Sequence, residues 1–137
     1  MVKTQLLHAC GLLGLVLCSS GLAPEVHEVS MLRLNNIEFE VGDELPDWVL
    51  ALDGETVQLS GYMQSETLEG ESWFDLTNDS CGCGTSKLQH FVRVIIEDGT
   101  TTFTPSELEL EGVFSAGEEF DEDEFIESIF RLTIDSL

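Results

Sequence analysis

Two cysteines and a histidine close together in the chain are the residues whose types and spacing best fit a chemical site. Cys81 and Cys83 are separated by one glycine, and His90 follows seven residues after Cys83. Thiolate and imidazole groups are the ligands that zinc and copper prefer. This spacing predicts a soft-metal site made by Cys81, Cys83 and His90. Asp79, a water molecule or a substrate group would complete the coordination.

The same cysteines can also be explained without a metal. Residues two apart can bring their Cα atoms into the disulfide bonding range of about 4.4–6.8 Å, and an oxidising compartment favours the bond. A Cys81–Cys83 disulfide would staple the loop, although so small a ring is easily reduced. A third interpretation is that of two inert thiols in a glycine turn, followed by His90 at the start of a strand.

Motifs of known enzyme classes are missing from the sequence. It has no nucleophile elbow, no phosphate-binding loop, no dinucleotide fingerprint and no recognisable frame of paired catalytic carboxylates. The acidic run from Gly117 to Asp123 lacks the glycine-punctuated spacing of a calcium loop, and we expect it to be a solvated loop. The sequence therefore predicts a protein that is not an enzyme.

The charge of the chain limits the classes of partner that it can bind. Twenty-seven acidic residues stand against five basic ones, which gives a formal net charge of −22. Such a charge repels nucleic acid and anionic membrane surfaces, and it attracts metal ions and cationic proteins. A solvated acidic surface is the simpler explanation of the composition. We therefore expect no nucleic-acid partner.

The N-terminal segment has the features of a secretory signal peptide. Lys3 precedes an apolar run from Leu6 to Leu17, and small residues follow. The run is shorter than the roughly 20 apolar residues of a membrane-spanning helix. We expect residues 1–23 to be the signal peptide and the protein to be exported to the periplasm or the cell envelope. Cys18 is a candidate for lipid attachment, which would anchor the protein to a membrane.

After the leader, the sequence predicts a polar tether over residues 24–30 and a single domain over residues 31–137. Apolar and polar residues alternate in several short segments, as in half-buried strands. The expected strands are residues 31–41, 56–63, 72–77, 89–97, 108–114 and 129–134. Gly61 lies inside a strand, which indicates a bend or a close approach of two backbones. A short helical turn is expected after Pro46. These features predict an all-β fold, a small five- to six-stranded OB-like barrel.

Four segments follow one another in a characteristic order. They are Leu52 to Val57, Gly61 to Met63, an aromatic strand, and a cysteine–glycine loop followed by a histidine. On these features the chain from Leu45 to Leu137 resembles a family of small exported bacterial proteins that is catalogued as a domain of unknown function. The resemblance implies a compact β-barrel, often carried by a lipoprotein. Some of these relatives are encoded beside metal-uptake or export systems, which implies a role in envelope metal handling. At the cysteine loop, relatives commonly have a proline-rich turn or adjacent cysteines instead.

Two functions follow from these observations. The first is an exported metal-binding or metal-handling module for zinc or copper, with a metal transporter or another envelope protein as its partner. The second is a non-catalytic structural or interaction protein of the envelope, in which the Cys81–Cys83 disulfide is a staple. The two hypotheses differ in the chemical state of the cysteine sulfurs.

Overall fold

The computed structural model describes residues 21–81 and 87–137 of the chain. The strands are β1 (Val26–Glu28), β2 (Thr56–Met63), β3 (Trp73–Thr77), β4 (Phe91–Ile96), β5 (Leu108–Phe120) and β6 (Ile126–Ile134). The helices are α1 (Met31–Asn35), α2 (Asp47–Leu50) and a short 3₁₀ helix (Leu88–His90). None of the helices within the described ranges has the length and apolar character needed to cross a membrane.

The six strands form one mixed sheet in the order β1-β2-β3-β4-β6-β5, and β2 pairs with β5 as well. The β1–β2 and β4–β6 pairs are parallel, and the other pairs are antiparallel. Because β2 pairs with both β3 and β5, strands β2 to β6 form a near-ring, and β1 is added beside β2. The predicted β fold of short strands is therefore confirmed.

The alternation in β2 explains how the sheet acquires an inner face. Val57, Leu59, Gly61 and Met63 are buried, and the residues between them are half-buried or exposed. Successive side chains of a strand point to opposite faces, so this pattern places one apolar face of β2 toward the core. The bounds and the buried face that the sequence predicts for this strand are both confirmed.

Aromatic and aliphatic side chains from the ring strands fill the core. Phe74, Phe114 and Phe130 are its largest fully buried residues, and the rings of the last two stack with centroids 6.0 Å apart. Full burial of a side chain of this kind contributes about 1.5–3 kcal/mol. Met31 and Leu34 of α1 and Val49 of α2 belong to the same core.

The prediction of a strand at residues 31–41 is wrong, because the segment begins with α1. Met31, Leu34 and Ile37 are buried at intervals of three, while Leu32 is 56% exposed. That spacing places one face of a helix on the core, which strict alternation would not do. The alternation from Ile37 to Val41 also does not produce a strand, and Val41 is 73% exposed.

Several strand ends differ from those that the sequence predicts. β4 begins at Phe91, two residues later than expected, and β6 begins at Ile126, three residues earlier. β5 extends to Phe120 because it continues to pair with β6 through register shifts after Ala116. Part of the acidic run that was expected to be a loop is therefore strand. The helical turn expected after Pro46 is present as α2.

β1 lies within residues 24–30, where the sequence predicts a tether. Its residues pair in register with β2, from Val26 opposite Thr56 to Glu28 opposite Gln58. A strand of three residues is too short to show a periodic pattern. Its formation depends instead on the edge that β2 offers, which the local sequence does not reveal.

Gly61 marks the place where β2 and β3 approach each other closely. A β-carbon at this position would lie 2.5 Å from the carbonyl oxygen of Thr77 and 3.0 Å from Cγ of Leu76. The strands pair beside this point, with Tyr62 opposite Thr77 and Met63 opposite Leu76. The close backbone approach that the sequence predicts at Gly61 is therefore confirmed.

We predict that Gly61→Ala destabilises the protein by about 1–3 kcal/mol, since the new methyl group must displace backbone atoms. Urea denaturation followed by circular dichroism measures the change. Ser60→Ala is the matched control, because Ser60 is the exposed neighbour on the same strand. Equal denaturation midpoints for the two variants would contradict the close approach of β2 and β3.

Candidate functional site

The cysteine loop, residues 78–87, begins where β3 ends, and a buried threonine fixes its first residues. Thr77 is 1% exposed. Its Oγ1 lies 3.2 Å from the carbonyl oxygen of Tyr62 and 2.9 Å from that of Asp79. The hydroxyl group has one proton and can donate it to either carbonyl. This side chain therefore connects the start of the loop to the end of β2.

A local turn places a carboxylate beside the first cysteine. The backbone N–H of Cys81 donates to Oδ1 of Asp79 across 3.2 Å. Aspartate side chains commonly accept a hydrogen bond from the backbone two residues later, and this bond stabilises a turn. Asp79, one of the three groups expected to complete the coordination, thus lies next to Cys81, and both residues are exposed.

The sulfur of Cys81 is part of a disulfide bond. A sulfur in that state is not a thiolate, and a metal needs the thiolate form. Cys83 lies outside the described residues, so the predicted Cys81–Cys83 pairing stays a prediction, as does the metal site that uses both residues. Cys18, the predicted lipidation residue, also lies outside them. Among the residues that the structure does describe, no three His, Cys, Asp or Glu side chains are grouped to hold a metal ion.

His90 lies in the 3₁₀ helix and not in a strand, because β4 begins one residue later. Its backbone N–H donates to the carbonyl of Lys87 across 3.0 Å. The side chain is half-buried and lines an open cavity of about 420 Å³ together with Lys87 and residues 35–40. The predicted strand over residues 89–97 is therefore wrong at its start, because His90 precedes the strand.

The 3₁₀ helix is held against α1 by the side chain of Asn35. Oriented to satisfy the surrounding acceptors, its amide nitrogen donates to the carbonyl oxygens of Met31, at 3.0 Å, and Gln89, at 3.1 Å. Gln89 is itself buried. The end of the cysteine loop is thus fixed to the helical layer, as its start is fixed to the sheet.

A second group of functional interest, the Arg93 cluster, consists of Arg93, Asp75, Glu127 and Trp73. Arg93 lies opposite Asp75 on neighbouring strands, with Nε 2.9 Å from Oδ1 and Nη2 3.3 Å from Oδ2. Nη1 forms an ion pair with Glu127, at an angle outside hydrogen-bond geometry. The guanidinium also lies over the indole of Trp73, 4.2 Å from the ring centroid. Bidentate, largely buried pairs of this kind are geometrically specific.

Sequence analysis missed the Arg93 cluster because its members come from three separate strands. The sequence does place Asp75 and Arg93 on predicted strands, each among apolar neighbours. Opposite charges in two such strands are a signal that the strands pair at those residues. This signal identifies the pair only when the register of β3 and β4 is known, and short alternating segments do not determine that register.

Arg33 and Arg131, the other two arginines of the sequence, also have partners inside the fold. Arg33 lies over the ring of Trp48, with Cζ 3.8 Å from the centroid. Arg131 donates from Nη1 to the carbonyl of Gly117 across 3.0 Å. Positive charge is therefore used for internal contacts, and the surface is left strongly acidic.

A comparison with solved structures finds a protein whose fold is similar to that of most of this chain. The chain is similar to a DUF3299 family protein from Pseudomonas aeruginosa PAO1, with a TM-score of 0.50 and 17% sequence identity. The match covers 81% of this chain and 92% of that chain. At this identity the likeness concerns the fold, and it agrees with the expected similarity to a bacterial domain of unknown function. No protein-family model and no curated protein matches the sequence.

We predict that Thr77→Val destabilises the protein by about 0.5–1.5 kcal/mol, since valine has no hydroxyl to donate to the carbonyl of Tyr62 or Asp79. Thermal unfolding measures the loss. Thr102→Val is the control, because Thr102 is exposed. An unchanged melting temperature in Thr77→Val would show that the hydroxyl does not hold the start of the cysteine loop.

Proposed function

We propose that this chain is an exported, non-catalytic interaction protein of the cell envelope, in which the cysteine loop is a structural element. The observation that carries the proposal is the disulfide bond of Cys81. A disulfide withdraws that sulfur from metal binding and restrains the chain at Cys81. The predicted signal peptide supports an oxidising compartment, in which disulfides persist.

An OB-like barrel is the proposed scaffold of this protein. Its support is the order of pairing, in which β2 pairs with β3 and with β5 while β4 and β6 pair in parallel. The OB fold is a five-stranded, partly open barrel. β1 and the two short helices are then additions around a five-stranded ring.

The surface charge indicates the chemistry of the protein partner. The chain carries 27 acidic residues, while Arg33, Arg93 and Arg131 have contacts within the fold. An acidic surface of this kind attracts cationic proteins and accelerates their association at low salt. We propose a cationic envelope protein as the partner, with electrostatic attraction that weakens as salt is added.

We predict that the protein exported by its natural route contains no free thiol at Cys81 and no bound metal. Native mass spectrometry without reductant should give a mass about 2 Da below that of the fully reduced chain, because forming one disulfide removes two hydrogens. Reductant should restore the higher mass, and Cys81→Ser supplies the control for the bond. A metal adduct on a chain with free thiols would contradict the proposal.

The second candidate is binding of zinc or copper after the disulfide is reduced. The observation that favours it is the carboxylate of Asp79, which the turn holds beside Cys81. A dithiol reductant would convert the disulfide into two thiols and become oxidised itself. The thiols would then lose protons on binding the ion. Cys81, Cys83 and His90 remain the proposed ligands, with Asp79 as a fourth.

We predict for this candidate that only the reduced protein binds zinc or copper(I) at one equivalent in equilibrium dialysis. Cys81→Ser and Cys83→Ser should each lower the affinity at least about tenfold, which corresponds to 1.4 kcal/mol or more. Removing the imidazole in His90→Ala tests the third ligand, and His27→Ala is its control because His27 lies on β1. Binding that is equal in the oxidised protein would exclude the cysteines as ligands.

A further inference from the structure

A partly enclosed cavity of about 210 Å³ lies between β3 and the loop of residues 64–72. We call it the Trp73 cavity. Its polar lining consists of Gln64, Glu66, Thr67, Glu71 and Asp75, and its apolar lining of Leu68, Trp73 and Phe74. The cavity is separate in sequence from the cysteine loop, and the proposed function does not use it.

The loop that bounds the Trp73 cavity is fixed from behind by a buried threonine. Thr101 is 1% exposed, and its hydroxyl donates to the carbonyl of Leu68. Its backbone carbonyl accepts from the N–H of Gly70 across 3.0 Å, and its own N–H donates to Glu71 across 2.8 Å. The carboxylate of Glu69 accepts from the N–H of Phe103 across 2.7 Å. The wall is therefore preformed, as in most small-molecule sites.

The opposite wall presents an aromatic ring that is held in place. Trp73 is 37% exposed, although indole side chains are usually more deeply buried. The guanidinium of Arg93 supports the ring 4.2 Å from its centroid. Arg93 is in turn fixed by Asp75, and the two side chains are 13% and 14% exposed. A rigid indole, partly open to solvent, costs little conformational entropy when it binds a ligand.

The chemistry of the lining selects among ligand classes. The carboxylates of Glu66 and Glu71 disfavour anionic ligands, including nucleic acid. Arg93 is paired with Asp75 and Glu127, so its charge does not exclude a cationic ligand. The lining itself offers an indole ring and carboxylate acceptors. A neutral polyhydroxylated ring suits both features, because its apolar face can stack on indole while its hydroxyls donate to carboxylate and amide oxygens.

We propose that the Trp73 cavity is a binding site for one ring of a neutral oligosaccharide, stacked on Trp73 and hydrogen-bonded to Glu66 and Glu71. The position of the cavity supports this assignment. OB folds bind oligosaccharides on the face of their second and third strands and at the loop between the first two. In the OB-like barrel proposed above, on which this assignment rests, these are β3, β4 and the loop of residues 64–72. The inference goes beyond the proposed function, since it adds a glycan ligand to a protein partner.

The experiment titrates the protein with a panel of neutral oligosaccharides, namely fragments of α-glucan, β-glucan, chitin and mannan. The Trp48→Phe background leaves Trp73 as the single indole of the chain, so that fluorescence reports the proposed site. At least one panel member should shift the Trp73 emission in a saturable way and protect it from acrylamide quenching. Calorimetry then gives the affinity for that oligosaccharide in variants of the native chain.

Two variants test the site by different routes. Trp73→Ala and Glu66→Ala should each weaken binding at least about tenfold. Glu66 is exposed, so its variant stays folded even if loss of the indole disturbs β3. Glu122→Ala is the matched control from the β5–β6 turn and should bind like the native protein. The assignment would be overturned if no oligosaccharide of the panel bound saturably, or if Glu66→Ala bound with the affinity of the native protein. Binding of spermidine in place of a saccharide would also overturn it.

Discussion

The pairing of β2 with strands on both of its sides is the constraint on which the rest of the structure depends. β2 pairs with β5 from Thr56 opposite Val113 to Gly61 opposite Leu108, and it meets β3 at its other end. Without the β2–β5 pairs, the near-ring would be an open sheet with two unpaired edges. Gly61 allows β3 to approach β2, and Gly112 allows β6 to approach β5, because a β-carbon at either position would meet the backbone carbonyl of Thr77 or Thr133.

The Trp73 cavity and the cysteine loop both lie at the ends of a regular strand of the near-ring. β3 is five residues long, with the Trp73 cavity at its first residue and the cysteine loop after its last. Arg93 and Thr77 fix these two ends by different means, one through an ion pair and an indole contact, the other through a buried hydroxyl. Both regions are therefore positioned by side chains on the strands, while the loops between the strands carry groups that are proposed to bind ligands.

The sequence predicts an element of the structure correctly when the residues of that element alone determine it. β2 has a strict two-residue alternation, and its bounds and buried face follow from that pattern. The segment from Met31 to Val41 carries two signals, a three-residue spacing of Met31, Leu34 and Ile37 and an alternation from Ile37 onward. Only the first corresponds to an element of the structure, the helix α1. β1 and the end of β5 exist because a partner strand is present, and the Arg93 cluster requires the register of three strands. Cysteine spacing indicates special chemistry at Cys81, whose sulfur is in a disulfide bond, but local sequence cannot distinguish a thiolate from a disulfide.

Both proposed modes of binding require a rigid ring, so the most direct measurement is amide hydrogen exchange of the whole chain, resolved by residue. If the β2–β5 pairs close the ring, the amides of β2 and β5 should exchange only on global unfolding. Their free energy of exchange should then equal that of the amides in the core strand β4. The segments outside the ring, β1 and the β5–β6 turn, should exchange through smaller local openings. Exchange of β2 and β5 at a clearly lower free energy than β4 would contradict the account, since it would show that the ring opens without unfolding of the core.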